Sequence, residues 1–91
     1  MLNELKSMFL KGNQNKYNEI IKALDKDLKL AHRLVHNLKS NAGQIGKTGL
    51  QSAAADVERQ LVGGINNTTE RQLQLLKTEL AIVLNELIAE N

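Results

Sequence analysis

Apolar residues recur at three- and four-residue intervals through most of the chain, the spacing that places them on one face of an α-helix. Five such segments are separated by short stretches of polar residues or glycine. Their apolar positions are, in chain order, Leu2, Leu5 and Phe9; Tyr17, Ile20, Ile21 and Leu24; Ala31, Leu34, Val35, Leu38, Ala42 and Ile45; Leu50, Ala54, Val57 and Leu61; and Leu73, Leu76, Leu80, Val83 and Leu87. The pattern predicts five helices, of which the first is short.

The residues between the segments carry start and stop signals for helices. Asp27 is expected to be the N-cap of the third helix, and Gly46 is expected to end it. The sequences TGLQ at 48–51 and TERQ at 69–72 each match a capping box, which predicts where the fourth and fifth helices begin. The two glycines at 63 and 64 are expected to stop the fourth helix.

Composition supports a helical fold. The chain has no proline, no cysteine and only two aromatic residues, so its core must be aliphatic and without disulfides. A β-sheet would usually recruit more aromatic and β-branched residues. We therefore expect an all-α fold: an antiparallel four-helix bundle with a short additional N-terminal helix over one end, as a single domain spanning residues 1–91.

Charge is distributed unevenly along the chain. Residues 1–50 hold nine Lys or Arg and four acids, whereas residues 51–91 hold three and six, which gives +5 and −3. A net charge of +2 without interleaved aromatics argues against a nucleic-acid partner. No signal peptide is evident, and no apolar run approaches the roughly 20 residues that cross a bilayer. We expect a cytoplasmic protein without direct membrane contact.

The third helix carries the candidate chemistry. At about 100° per residue, His36 falls opposite the apolar positions, toward solvent or a partner. The same face carries cations and small residues, namely Lys29, His32, Lys39, Ser40 and Gly43. Glycine inside a helix costs about 1 kcal/mol relative to alanine, so Gly43 has a packing or functional reason, such as room for another protein. The alternative for this surface is an ordinary solvated helix face.

A metal site is not expected on this face. His32 and His36 are four residues apart and can supply two zinc ligands, but a third ligand is needed. Arg33 follows His32 where an HExxH motif has glutamate, and cysteine is absent.

The stretch HNLKSNAGQIGKTGLQSAAADVE, residues 36–58, resembles the signature of the histidine-containing phosphotransfer (HPt) domain. In that family the phosphorylated histidine is followed by Lys three residues later, small residues four, six and seven later, and Gly ten later; Leu, Ala and an acid or amide follow on the next helix. Those places are filled here by His36, Lys39, Ser40, Ala42, Gly43, Gly46, Leu50, Ala54 and Glu58. Ser40 departs from the pattern, where Gly is commonest, but it is also small.

The resemblance implies a role for each matched polar residue. His36 would accept a phosphoryl group on Nε2 from the phosphoaspartate of a response-regulator receiver domain and pass it to another receiver. Lys39 would neutralise phosphoryl oxygens. Glu58 would accept a hydrogen bond from Nδ1 of His36 and so fix the tautomer that leaves Nε2 free. The alternative for Glu58 is a solvated surface acid paired with Lys47.

The resemblance also implies partners and cofactors. Receiver domains would dock on the His36 face, with contacts expected at His32, Arg33, Ser40, Gly43 and Lys47. The domain would bind no cofactor, because the receiver supplies Mg²⁺. The chain also has no Gly-rich nucleotide loop, so we expect a phosphocarrier and not an enzyme. We expect the domain to be monomeric.

The sequence leaves two questions open. The alternative function is a helical interaction or dimerisation domain without phosphotransfer, because Ile82, Leu84 and Ile88 add apolar surface to the last helix. The chain is compatible with a free-standing protein and with the terminal domain of a hybrid sensor histidine kinase.

Overall fold

The computed structural model describes residues 2–91, and every regular element in that range is helical. The α-helices are α1 (Glu4–Asn13), α2 (Lys16–Lys26), α3 (Leu28–Gln44), α4 (Thr48–Arg59) and α5 (Glu70–Glu90). A short 3₁₀ turn, Val62–Gly64, lies between α4 and α5. The expected all-α fold is confirmed.

The helices α3 and α4 form the central pair of the bundle. Helix α2 packs beside α3, α5 packs beside α4, and α2 also meets α5. Short connections join α2 to α3 and α3 to α4, so each of these pairs runs antiparallel. Helix α1 packs on α3 and α5, and Lys6 Nζ lies 2.8 Å from Glu90 Oε1. The N-terminal helix therefore lies at the end of the bundle where α5 finishes.

The core is formed by the apolar positions that the periodicity marks. Its fully buried aliphatic side chains come from four helices: Ile20, Val35, Leu38, Leu50, Val57, Leu76 and Leu87. Alanines are also buried in α3, at Ala31 and Ala42, and in α4, at Ala53 and Ala54. Small buried side chains let paired helices lie close together, so the flank of α4 comes within reach of the exposed face of α3.

Both ends of α3 have the capping interactions that the sequence predicts. The Asp27 side chain accepts a hydrogen bond from the Leu30 N–H at 3.2 Å. At the other end, Gly46 adopts a left-handed φ of +73°, and the Lys47 N–H donates to the Ala42 carbonyl at 2.9 Å. This pattern is a Schellman motif, in which a residue with positive φ ends the helix.

One of the two predicted capping boxes is wrong. Helix α4 begins at Thr48 itself, and its N-cap is Lys47, whose side chain makes no capping bond among residues 2–91. Because Lys47 ends the Schellman motif, its carbonyl is placed to accept from the Gln51 N–H at 3.0 Å, and the helix begins one residue early.

The capping box at the start of α5 is confirmed. The Thr69 hydroxyl accepts from the Gln72 N–H at 3.1 Å, and the Gln72 side chain accepts from the Thr69 N–H at 3.0 Å.

The last helix keeps exposed apolar side chains, as its sequence suggests. Ile82 and Ile88 are exposed, as is Leu75, whereas Leu84 is partly buried against the core. Within residues 2–91, no helix has the length and apolar content needed to cross a membrane.

Candidate functional site

His36 projects from the middle of α3 toward solvent. Its side chain is 52% exposed, whereas Val35 and Leu38 on the same helix are fully buried. This separation follows from the helical period, because Val35 and Leu38 lie about 100° and 200° around the helix from His36. The exposed orientation that the sequence predicts is the one observed.

The Glu58 carboxylate of α4 lies across the face of α3. Its Oε2 is 2.6 Å from His36 Nδ1, and its Oε1 is 2.5 Å from Lys39 Nζ. The Glu58 side chain is only 14% exposed. The predicted contact between Glu58 and His36 is therefore present. Pairing of Glu58 with Lys47 is not observed, because Lys47 Nζ lies 3.3 Å from Glu86 Oε1 on α5.

Two opposing effects set the pKa of Glu58. Desolvation by partial burial raises the pKa, but hydrogen bonds from Lys39 and His36, together with their charges, lower it by more. The net result is a pKa below the ordinary 4.5. Near neutral pH the ionised carboxylate can only accept hydrogen bonds, so the bonded Nδ1 of His36 must carry the proton. In the neutral ring, Nε2 then keeps its lone pair, and it faces away from Glu58.

Helix α4 places Glu58 at the edge of its buried face. Val57 and Ala54 are fully buried, so the α4 face carrying them is turned into the bundle. Glu58 follows Val57 by about 100° around the helix, which puts its side chain on the flank next to α3. This placement of Glu58 follows from the helical period.

The ion pair between Lys39 and Glu58 is a contact that the sequence did not predict. The resemblance implies that Lys39 meets phosphoryl oxygens, whereas in the structure its ammonium bonds the same carboxylate that holds His36. The helical period places Lys39 on the His36 face, but it does not specify which acid on α4 a flexible lysine side chain reaches.

His32 also approaches this carboxylate. Its Nε2 is 3.7 Å from Glu58 Oε2. Its ring lies nearly parallel to that of His36, with the ring centroids 6.4 Å apart and an interplanar angle of 7°. Three side chains of α3, at positions 32, 36 and 39, therefore face one carboxylate of α4.

The remaining docking residues are arranged less closely around His36. Arg33 and Ser40 are exposed on α3. A Cβ on Gly43 would lie 2.6 Å from Nε2 of Gln51, so a side chain of this same protein occupies part of the space beside that glycine. Lys47 pairs with α5 instead of joining the His36 cluster.

No described group of three His, Cys, Asp or Glu side chains between residues 2 and 91 is arranged to hold a metal ion. The functional groups that the structure brings together are two imidazoles, one ammonium and one carboxylate. Such a group can hold and release a proton, and it presents a nucleophilic nitrogen to solvent.

A helical bundle that displays one hydrogen-bonded histidine on its central helix is the class that this fold and site define. Comparison with protein families agrees: the model of the Hpt domain matches residues 4–89, which is nearly the whole chain. The chain belongs to the Hpt domain family. Searches of curated proteins and of solved structures each gave no match.

Membership of this family defines the general function. Hpt domains act in histidine phosphotransfer within phosphorelays of two-component signalling, and they interact with response-regulator receivers. They are phosphocarriers and not catalysts.

Proposed function

We propose that His36 is the phosphoacceptor, which takes a phosphoryl group from the phosphoaspartate of one receiver domain and passes it to another. The observation that carries this proposal is the 2.6 Å contact between His36 Nδ1 and Glu58 Oε2 on an exposed ring. The contact fixes the proton on Nδ1 and leaves Nε2 as the free nucleophile.

The transfer step balances without any further reactant. The lone pair of His36 Nε2 forms the N–P bond, the P–O bond to the aspartate breaks, and its electrons stay on the aspartate carboxylate. The proton on Nδ1 remains, so the phosphorylated ring carries a positive formal charge. Glu58, already bonded to Nδ1, stabilises that charge. The reverse step delivers the phosphoryl group to the next receiver.

Lys39 contributes a mobile positive charge to the same step. Its ammonium bonds Glu58 in the unphosphorylated protein and lies one turn from His36 on the same helix. An ammonium has three donors, so Lys39 can turn toward phosphoryl oxygens on Nε2. In this proposal, Lys39 exchanges a carboxylate partner for a phosphoryl partner.

The receiver supplies the remaining components. We expect it to bring the Mg²⁺ ion, while this domain binds no cofactor. Arg33 and Ser40 are exposed beside the histidine, and the positive charge of Arg33 favours approach of an acidic receiver surface. We expect Lys47 to contribute least to docking, because Glu86 already pairs with it.

The proposal is tested by incubating the protein with a receiver domain that carries a radiolabelled phosphoryl group. The wild type should acquire label that is labile to acid and stable to base. The His36→Gln variant should acquire none, whereas the matched His32→Gln variant should still be labelled. Circular dichroism would verify that both variants are folded. Label that persists in folded His36→Gln would exclude His36 as the acceptor.

A further inference from the structure

His32 is placed to interact with the phosphorylated state of its neighbour. It lies one helical turn before His36, and the two rings form an offset parallel pair with centroids 6.4 Å apart. Its Nε2 faces Glu58 Oε2, which is the same oxygen that accepts from His36. The family match covers His32 but assigns it no function at this carboxylate.

We propose that His32 is a positioning residue for phosphorylated His36: its ring takes up a proton when His36 is phosphorylated, and it then pairs with Glu58 in place of Lys39. This inference rests on the proposed function, because it requires that the phosphoryl group be on His36.

The distance between His32 and Glu58 is suited to a contact that forms on protonation. At 3.7 Å, Nε2 and Oε2 are too far apart for a hydrogen bond but close enough for a charged pair. Protonation makes both imidazole nitrogens donors and gives the ring a positive charge. A rotation that moves Nε2 by less than about 1 Å would then bring it to the usual 2.7–2.9 Å of a charge-assisted hydrogen bond.

The charge of the cluster changes when His36 is phosphorylated. Before transfer, the charges of Lys39 and Glu58 cancel. The phosphoryl group carries about 1.5 to 2 negative charges, and the positive formal charge of the phosphorylated ring balances one of them. The cluster therefore becomes negative by about 0.5 to one charge, which a proton on His32 offsets. If Lys39 moves to the phosphoryl oxygens, Glu58 also loses its ammonium partner.

The other charged groups near His32 set the direction of this change. On α3, Lys29 lies one turn before it, and both line a groove with the 3₁₀ turn Val62–Gly64, which contains no titratable side chain. On α4, Glu58 is the charged group that faces it. A phosphoryl group on His36 adds negative charge to these surroundings and so favours a positive charge on His32.

The coupling must be reciprocal. If phosphorylation raises the pH at which His32 titrates, protonation of His32 favours the phosphorylated state by the same factor. For charges about 8–10 Å apart, an effective dielectric constant of about 40, between that of a protein surface and that of water, gives a factor of about four to six, which corresponds to a shift of about 0.6–0.8 pH unit.

The first test follows the His32 ring by NMR during pH titration, before and after the protein is phosphorylated with phosphoramidate, a small phosphodonor that needs no receiver. The titration midpoint of His32 should move upward by between about 0.5 and 1 pH unit on phosphorylation. An unchanged or lowered midpoint would overturn the proposal.

The second test measures the equilibrium of the phosphoryl group between this protein and a receiver that exchanges with it, from pH 6 to pH 9. The ratio of wild type to His32→Gln should fall from several-fold at pH 6 toward one at pH 9. His32→Lys, which keeps a positive charge throughout, should favour the phosphorylated state across the range. Lys11→Gln removes an exposed cation of α1, which has no part in the cluster or the docking face, and should retain the wild-type pH profile. A constant ratio for His32→Gln would contradict the proposal.

The two proposals fail in different ways. If phosphoramidate labels folded His36→Gln but not His32→Gln, the acceptor is His32, and both proposals are wrong. If labelling requires His36 and the His32 midpoint does not move, only the inference about His32 is wrong.

Discussion

The Glu58 carboxylate connects the two central helices at the exposed face of α3. Its two oxygens bond His36 and Lys39 at 2.6 and 2.5 Å, and His32 approaches one of them. One acid therefore fixes a tautomer, holds a lysine near the reacting nitrogen and lies within reach of a second imidazole. Because the Glu58 side chain is largely buried, these interactions are less screened than they would be in water.

Gly43 allows a prediction that separates packing from docking. An added Cβ would meet Nε2 and Cδ of Gln51 at 2.6 and 3.2 Å, but these atoms are the end of a flexible side chain. In Gly43→Ala we expect Gln51 to move and the helix-propensity gain of about 1 kcal/mol to offset the cost. Urea denaturation should therefore give an unfolding free energy within about 1 kcal/mol of the wild type.

The same variant reports on docking. Labelling by phosphoramidate should be unchanged in Gly43→Ala, whereas transfer from a receiver should slow if the receiver surface uses the clearance at this position. Adding Gln51→Ala as a control removes the internal clash. A loss above about 2 kcal/mol in Gly43→Ala that Gln51→Ala does not relieve would show that the backbone itself requires glycine there.

At the scale of single elements, the sequences TGLQ at 48–51 and TERQ at 69–72 give a matched pair of variants. Thr69 caps α5 through a complete capping box, so Thr69→Ala should cost about 1 kcal/mol of unfolding free energy. Thr48 lies inside α4 and makes no capping bond, so Thr48→Ala should cost little or be slightly stabilising. Chemical denaturation of both variants under one set of conditions measures the difference. Equal losses would contradict the assignment of Lys47 as the N-cap.

The elements show which parts of the fold follow from local sequence. The helical period and the signals at Asp27, Gly46 and Thr69 predict where the helices lie, because each depends on residues within one or two turns. The box at 48–51 fails because a Schellman motif immediately before it already determines where α4 begins. Local motifs compete for the same residues, and the sequence does not show which one forms.

The contacts at the site also fall into those that the sequence predicts and those that it does not. The contact between Glu58 and His36 follows from the periods of two helices and the family pattern. The approaches of Lys39 and His32 to the same carboxylate depend on side-chain rotamers and on the spacing of α3 and α4. That spacing is set by buried alanines of two separate segments, so these contacts become visible only in the folded chain.

At the scale of the whole molecule, ion pairs within the protein neutralise part of the charge difference between the basic first half and the acidic second half of the chain. Lysines of the basic first half pair with acids of α5, as Lys6 does with Glu90 and Lys47 with Glu86. Exposed pairs of this kind contribute from zero to about 1 kcal/mol each. They link both α1 and the turn after α3 to the last helix, while Arg33 and Lys29 remain exposed on α3.

Acid should destabilise the molecule in part through Glu58. Its pKa is lower in the folded protein than the ordinary 4.5, so the unfolded chain takes up the proton first as the pH falls. The stabilisation is complete above about pH 5 and is lost as the pH falls below 4.5 and through the folded-state pKa. The difference in unfolding free energy between wild type and Glu58→Gln should therefore shrink between pH 6 and pH 3.

The exposed Glu90 serves as a control for this prediction. A hydrogen bond from Lys6 is the main cause that lowers its pKa, and the Glu90 side chain is exposed. Glu90→Gln should change the acid dependence less than Glu58→Gln does, because solvent screens exposed pairs. Denaturation curves at several pH values measure both differences. A gap between wild type and Glu58→Gln that stays constant with pH would show that the carboxylate charge does not stabilise the fold.

The central claim is that His36 carries the phosphoryl group on Nε2 while Nδ1 keeps its proton and donates a hydrogen bond to Glu58. A long-range ¹H–¹⁵N NMR spectrum of the protein phosphorylated by a receiver tests this claim most directly, because it resolves the two ring nitrogens of each histidine. The account predicts phosphorus coupling to Nε2 of His36, with Nδ1 protonated and the ring nitrogens of His32 free of phosphorus. Phosphorus on Nδ1 of His36, or on either nitrogen of His32, would contradict it.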